Sequence, residues 1–130
     1  MIVVDASVIV TALADDGPDG DQARLRLRGE RLAAPHLIDL EVLSAWRRLA
    51  AGGDIDERRA TLAIADLQAL RIDRIRHEPL LRRCWELRVN LTVYDAAYVA
   101  LAELLDTTLV TADLGLAKAP GTRCPIEVLT

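Results

Sequence analysis

Aromatic residues are scarce in this chain: two Trp, two Tyr and no Phe, 3% of 130 residues. That excludes a platform of stacked rings as the main means of holding unpaired bases. It also leaves the core to Leu, Ile, Val and Ala. Cysteine is nearly absent, with Cys84 and Cys124 far apart and in no C-x-x-C pattern. A disulfide framework and a thiolate metal site are both disfavoured, and ordinary thiols in a reducing compartment are expected. Lysine is reduced to Lys118, so the positive charge is carried almost wholly by arginine. The formal net charge of -4 argues against broad, non-specific nucleic-acid binding, although acids gathered at one site leave basic residues free around it. No apolar run approaches membrane-spanning length, and Met1-Ile-Val-Val-Asp5 lacks a basic segment leading into a long apolar one. No membrane association and no signal peptide are expected, and a cytoplasmic location is the default.

What is present is a hydrophobic content of 52% against 28% charged residues, which excludes disorder and fits a well-buried α/β protein. The length predicts a single domain over residues 1–130. Ile2-Val3-Val4 is a short β-branched run, as in a strand buried on both faces of a parallel sheet. A helix over 6–13 follows at once. Asp15-Asp16-Gly17-Pro18-Asp19-Gly20 reads as a loop, a second helix runs over 21–29, and 32–34 forms a short strand closed by Pro35. Helical periodicity is long and clear over 37–51. Gly52-Gly53 stops it, and Asp54 is expected to cap the next helix, to about Leu70. Ile72–Ile75 alternates as a half-exposed strand, and Pro79 opens a helix reaching about Val89. A helix over 92–105, a strand over 108–111, a short helix after Asp113 and a strand over 126–129 complete the chain. Strands alternating with helices imply a three-layer sandwich, a mostly parallel central sheet flanked by helices. Ligands of such sheets bind beyond the carboxyl ends of the strands, near the switch point. Asp5 and Asp113 follow strong strands there.

Each acid taken alone has an ordinary local role. Asp5 and Asp113 suit helix N-caps, and Thr92-x-x-Asp95 approximates a capping box. Glu41 falls on one helical stripe with Leu37, Ser44 and Arg48, beside the wholly apolar stripe of Ile38, Val42, Ala45 and Leu49. An acid on that border needs a partner, and Arg48 is the local candidate. Together, two strand-end acids and two helix acids in an order that lets them converge make an oxygen-rich site. It would suit magnesium or manganese rather than zinc. His36 and His77 stand apart, at helix starts, and offer no competing cluster.

The segments Ile2-Val-Val-Asp5-Ala-Ser7, Leu40-Glu41-Val-Leu-Ser44-Ala-Trp46-Arg47-Arg48, Thr92-Val-Tyr94-Asp95-Ala-Ala-Tyr98 and Leu109-Val-Thr111-Ala-Asp113 resemble the successive motifs of the PIN-domain family. They are closest to its VapC toxin branch, and the ordered set is far more specific than any one motif. The resemblance implies a PIN-like sandwich and a Mg2+- or Mn2+-dependent endoribonuclease. Asp5, Glu41, Asp95 and Asp113 would be metal ligands, with the hydroxyls of Ser7 and Thr111 beside them, either holding the acids or binding a scissile phosphate oxygen. Ser44 stands where the family often has Asn. No further acid follows Asp113 before Glu127, so a second metal position lacks an evident ligand. The reaction implied is hydrolysis of an RNA phosphodiester, in tRNA or another structured RNA of translation, by metal-activated water. Either Asp95 or Asp113 would orient the water.

A toxin of this kind implies a VapB-like antitoxin partner, a homodimer and a toxin–antitoxin hetero-oligomer. The antitoxin would send an arginine into the acidic site. Ala60, Ala63, Ile64, Leu67 and Leu70 line one face of the 54–70 helix, and any surplus of that face over the core would form a groove for it. Arg48 and Ser44 are candidate substrate contacts, and Arg24, Arg26, Arg28, Arg47, Arg82 and Arg83 are further candidate cations. The alternative is a catalytically silent PIN-fold binding module. A structure-specific DNA nuclease would need clamp elements that this length does not provide. A haloacid-dehalogenase-type phosphatase would want a second Asp where Ser7 stands, and a response-regulator receiver would want paired acids and a late lysine in another context.

Overall fold

The computed structural model describes all residues, Met1–Thr130. The element order is β1 (Ile2–Val4), α1 (Ala6–Ala14), α2 (Pro18–Leu27), β2 (Leu32–Pro35), α3 (Ile38–Ala51), α4 (Glu57–Ala69), β3 (Ile72–Ile75), a 3-10 turn (Glu78–Leu80), α5 (Leu81–Glu86), α6 (Val93–Leu104), β4 (Leu109–Thr111), α7 (Leu114–Lys118) and β5 (Ile126–Val128). The five strands form one sheet in the order β3-β2-β1-β4-β5, and every neighbouring pair is parallel. Helices α1 to α4 pack with one another, whereas α6 lies along β1, β2 and β4 with α5 against it. Right-handed crossovers put these two groups on opposite faces, which is the three-layer sandwich expected.

Burial follows the apolar runs. All of β1, β2 and β4 is buried, as strands covered on both faces require. Helix α6 is buried continuously from Ala96 to Ala102. Its small alanines bring its backbone close to the sheet, compensating for the shortage of aromatic bulk. Trp46 is 2% exposed, and its indole N–H donates to the Val10 carbonyl (3.3 Å), locking α3 onto α1. No helix is long and apolar enough to cross a membrane. Both cysteines are free thiols.

The expected elements are all present, with shifts at their ends. Helix α2 begins three residues earlier than its periodicity indicated, because Pro18 supplies a first-turn residue that needs no N–H partner. Asp56, not Asp54, caps α4, accepting from the Arg59 amide (2.7 Å). The helix expected from Pro79 to Val89 is split into the 3-10 turn and a short α5 ending at Glu86. His36 and His77 occupy loops, and His77 Nε2 accepts from the Leu37 amide (3.0 Å). Helices α1 and α2 meet so tightly at Gly20 that a Cβ there would fall 1.8 Å from the Asp15 carbonyl oxygen.

That contact is with backbone and cannot be relieved by a rotamer change. Gly20→Ala is expected to destabilise the protein by about 2–3 kcal/mol, the range of overpacking substitutions, read as a lowered urea midpoint. An unchanged midpoint would contradict the tight α1–α2 approach.

Candidate active site

The strand order reverses between β1 and β4, the edge at which doubly wound sheets hold ligands. There the Asp5 amide donates to the Val110 carbonyl (2.9 Å), carrying the β1–β4 ladder to its last rung. Asp5 is only 7% exposed. It occupies the N-cap position of α1 but makes no side-chain cap bond, so the ordinary reading of this acid fails. Its Oδ2 instead accepts two hydroxyl hydrogen bonds, from Ser7 (2.6 Å) and from Thr111 (2.9 Å). Each of those hydroxyls accepts a backbone N–H in turn. Ala112 donates to Ser7 Oγ (3.0 Å), and Asp113 donates to Thr111 Oγ1 (3.0 Å). The single proton of each hydroxyl is therefore committed to Asp5, which makes Ser7 and Thr111 holders of the acid rather than free donors to a phosphate. Asp5 Oδ2 is saturated, and Oδ1 remains.

Glu41 leaves the first turn of α3 half-buried, and its partner is not Arg48. Arg48 donates to Ser44 (3.1 Å) on the exposed side of the helix. Glu41 Oε1 instead accepts from the Tyr98 hydroxyl at 2.6 Å, across from α3 to α6. Arg48 lies two turns along the same helix, and as an exposed arginine it is better solvated than a half-buried carboxylate. Tyr98 itself did leave a signal. It lies three residues after Asp95, on the same helical face, and a fully buried tyrosine requires a partner for its hydroxyl.

Asp95 sits in the first turn of α6. Thr92 caps the helix, accepting from the Asp95 amide (3.1 Å), but no reciprocal bond from the Asp95 carboxylate completes a capping box, so the carboxylate is free for other work. Asp113 does act as the cap of α7, its Oδ1 accepting from the Gly115 amide (2.8 Å), and it is exposed. The four acids share one electrostatic field. Glu41 is raised above the usual carboxylate range, chiefly by burial and further by the charges of Asp5 and Asp95, with Tyr98 opposing. Asp95 is raised by burial, then by Asp5 and Asp113, with Thr92 opposing. Tyr98 is pushed far above the ordinary phenol range by burial, by its bond to Glu41 and by nearby negative charge.

No three His, Cys, Asp or Glu side chains enclose a metal site as they lie. The donor set nonetheless fits a hard divalent cation, since it consists of oxygens only and its acids repel one another. The two inner carboxylates are fixed by hydroxyls, whereas Asp95 has an unbonded carboxylate and Asp113 lies at the surface, held by its cap bond to Gly115. Half of the further candidate cations are occupied elsewhere. Arg24 bonds Asp21 and the Ala12 and Asp15 carbonyls, Arg26 joins Glu127 and Glu30, and Arg83 joins Glu103. These three hold the fold together and are withdrawn as phosphate contacts. Arg28, Arg47 and Arg82 are exposed and take part in none of these bonds.

A parallel sandwich with an acidic centre at its switch point, matched by the PIN domain family model over residues 2–121, defines the class: the chain belongs to the PIN-domain family. Ribonuclease VapC9 of Mycobacterium tuberculosis is 45% identical to it over 129 residues, covering 99% of this chain and 98% of that protein. Among solved structures, PAE2754 from Pyrobaculum aerophilum is similar at 30% identity with a TM-score of 0.68, covering 98% of this chain and 83% of that one. The VapBC2 structure from Rickettsia felis, bound to a DNA fragment from its promoter, shares the fold at 15% identity with a TM-score of 0.69, covering 100% of both chains.

Burial and mutual repulsion at Glu41 and Asp95 give a stability prediction. Their folded-state values lie above the unfolded ones, so the folded protein binds protons more readily. Metal-free protein therefore loses stability as pH rises from the ordinary carboxylate range through the raised values. Asp95→Asn and Glu41→Gln are expected to melt a few degrees higher than wild type in EDTA at neutral pH, with the difference shrinking toward pH 4. A variant melting lower than wild type throughout would refute the repulsive field.

Proposed function

We propose that this protein is a Mg2+- or Mn2+-dependent endoribonuclease, the toxin of a VapBC-type pair that acts on RNA until an antitoxin neutralises it. The observation that carries the reading is Asp5, buried at the β1–β4 switch point with one oxygen saturated by Ser7 and Thr111 and the other free. Full-length similarity to a named ribonuclease supports the reaction class. Asp5 and Glu41 would be the fixed ligands of the cation, with Asp95 and Asp113 the adjustable ones. A divalent cation bound there supplies an activated water at neutral pH and neutralises charge on the phosphate under attack.

The chain's own groups carry the rest. Asp95, raised by its surroundings and free of hydrogen bonds at its carboxylate, is the acid best placed to take a proton from the attacking water. Ser7 and Thr111 hold the Asp5 carboxylate in place through its Oδ2. Exposed Ser44 and Arg48 on α3, one and two turns beyond Glu41, are the proposed contacts to the RNA backbone. Because water is the nucleophile, the 2′-hydroxyl takes no part in the chemistry, and RNA preference would come from shape and groove contacts.

The α3–α4 hairpin supports an antitoxin partner. Leu40, Leu43, Leu62 and Ile64 remain exposed on it, while Ala63 and Leu67, from the face expected to be apolar, are buried in the core. An apolar segment of the antitoxin would cover the exposed set, within a hetero-oligomer of toxin dimers and antitoxin.

Purified Asp5→Asn and Asp95→Asn are expected to retain the wild-type circular dichroism spectrum and to lose RNA cleavage by at least about a hundredfold. Saturating Mg2+ or Mn2+ should raise the wild-type melting temperature, since a ligand of the folded state alone stabilises it. Induced expression should arrest growth and create discrete new RNA 5′ ends with wild type but not with Asp95→Asn. Full activity in both variants would overturn the site, and normal growth without new ends would favour a silent binding module.

A further inference from the structure

The two Trp and two Tyr of this chain divide evenly between core and surface. Trp46 and Tyr98 are buried, and each spends its polar group on a partner inside the fold. Trp85 and Tyr94 are 63% and 65% exposed. Trp85 is covered from within, since the Arg88 guanidinium lies 4.1 Å from its ring centre and donates to the Trp85 carbonyl (2.8 Å). Tyr94 has no such cover, and its ring enters neither an aromatic nor a cation–π pair. It is the second residue of α6, between Val93 and Asp95, in a first turn fixed by the Thr92 cap. Residues four apart share a helical face, so Tyr94 stands one turn before Tyr98, the residue whose hydroxyl reaches Glu41. Helical side chains lean toward the N-terminus, which carries the Tyr94 ring past the helix start, beside Asp95 at the rim of the acidic centre.

An uncovered ring at that place suits a nucleobase. Every base has a flat π face, so stacking on one aromatic side chain tolerates any sequence, and a tyrosine with two side-chain torsions loses little freedom when it stacks. A base inside a continuous duplex is covered by its neighbours, whereas an unpaired base can be splayed out onto a ring. We propose that Tyr94 is a substrate-binding residue whose ring stacks on the base next to the scissile phosphate, so that the cut falls beside an unpaired nucleotide. A single ring seats one base and leaves the rest of the strand to backbone contacts, in keeping with the scarcity of aromatics. The proposal rests on the ribonuclease reading above and adds to it a role for a residue outside the acidic set. An apolar side chain of a protein partner could also cover the ring, but that contact would leave cleavage of bare RNA indifferent to Tyr94, and the adjacency to Asp95 favours the base.

The test compares full-length wild type, Tyr94→Ala, Tyr94→Leu and Tyr94→Phe on subsaturating total bacterial RNA in Mg2+ and in Mn2+. New 5′ ends are mapped and quantified, and chemical probing of the same RNA reports the pairing at each site. Because Tyr94 is exposed, the variants should melt with the wild type. Tyr94→Ala is expected to cut about tenfold more slowly, the worth of one stacked base, with Tyr94→Leu close to it and Tyr94→Phe within about twofold of wild type. Each cut should have an unpaired nucleotide on at least one side. Unchanged cleavage by Tyr94→Ala would overturn the proposal while the ribonuclease reading stood, and would assign the ring to a protein partner. Tyr94→Phe as slow as Tyr94→Ala would overturn stacking in favour of the phenol, and Tyr94→Leu as fast as Tyr94→Phe would reduce it to apolar contact. Cuts inside continuous duplex would overturn it as well. No cleavage by wild type in either metal would overturn the proposal and the ribonuclease reading together.

Discussion

Asp5 is the residue on which the arrangement of this molecule turns, because a buried carboxylate with one side facing the core must have its charge answered by donors fixed in place. Burying such a charge without partners costs several kcal/mol. The chain answers it with two hydroxyls whose own lone pairs are taken up by backbone amides of the β4–α7 turn. That network requires β1 and β4 to be adjacent and in register, Val4 beside Val110. The sheet order places a carboxylate at the switch point, and the hydroxyl network makes it tolerable there. The same donors that stabilise Asp5 leave its outer oxygen as the only one able to act.

Around this fixed point the other acids are graded by restraint. Glu41 is held at one oxygen by a buried phenol from across the sandwich. Asp95 is placed by its backbone through the Thr92 cap, with its carboxylate unengaged. Asp113 serves as a cap and faces solvent. This gradation reconciles two observations. The acids are close enough to raise one another's proton affinity, yet no three of them close around an ion as they stand. Asp5 and Glu41 are anchored by hydroxyls, whereas the Asp95 carboxylate is unbonded and Asp113 is held only through its cap bond to Gly115.

How much of this was legible in the sequence depended on whether the cause was local. The strands could be read from β-branched runs and α3 from its period, because neighbours in sequence decide them. The start of α2 was misjudged because apolar periodicity gives no weight to Pro18, although the rigid ring suits a first helical turn. Helix α5 stops after Glu86 with Leu87 buried against the core, a packing constraint that apolar periodicity does not show. At the site, Asp5 and Asp113 followed from strand-end logic. The partner of Glu41 did not, since Tyr98 is 57 residues away in sequence and its contact depends on how α6 crosses the sheet. The arginines were over-read for the same reason: Arg26 meets Glu127 101 residues on, a pairing invisible until α2 and β5 are side by side.

The arginine distribution bears on how an acidic protein handles a polyanion. Arg24, Arg26, Arg74 and Arg83 are drawn into bonds that join elements, and bidentate guanidinium–carboxylate pairs are well suited to that work. Exposed cations outside any ion pair remain, Arg28, Arg58, Arg71, Arg76 and Arg82 among them, with Arg47 and Arg48 on the helix that carries Glu41. The net charge of -4 opposes general attraction to RNA, and non-specific affinity would grow with the number of phosphates these exposed arginines neutralise. The acidic centre is costly to the metal-free fold because its acids repel. Neutralising one of the raised carboxylates, Glu41 or Asp95, would relieve that repulsion.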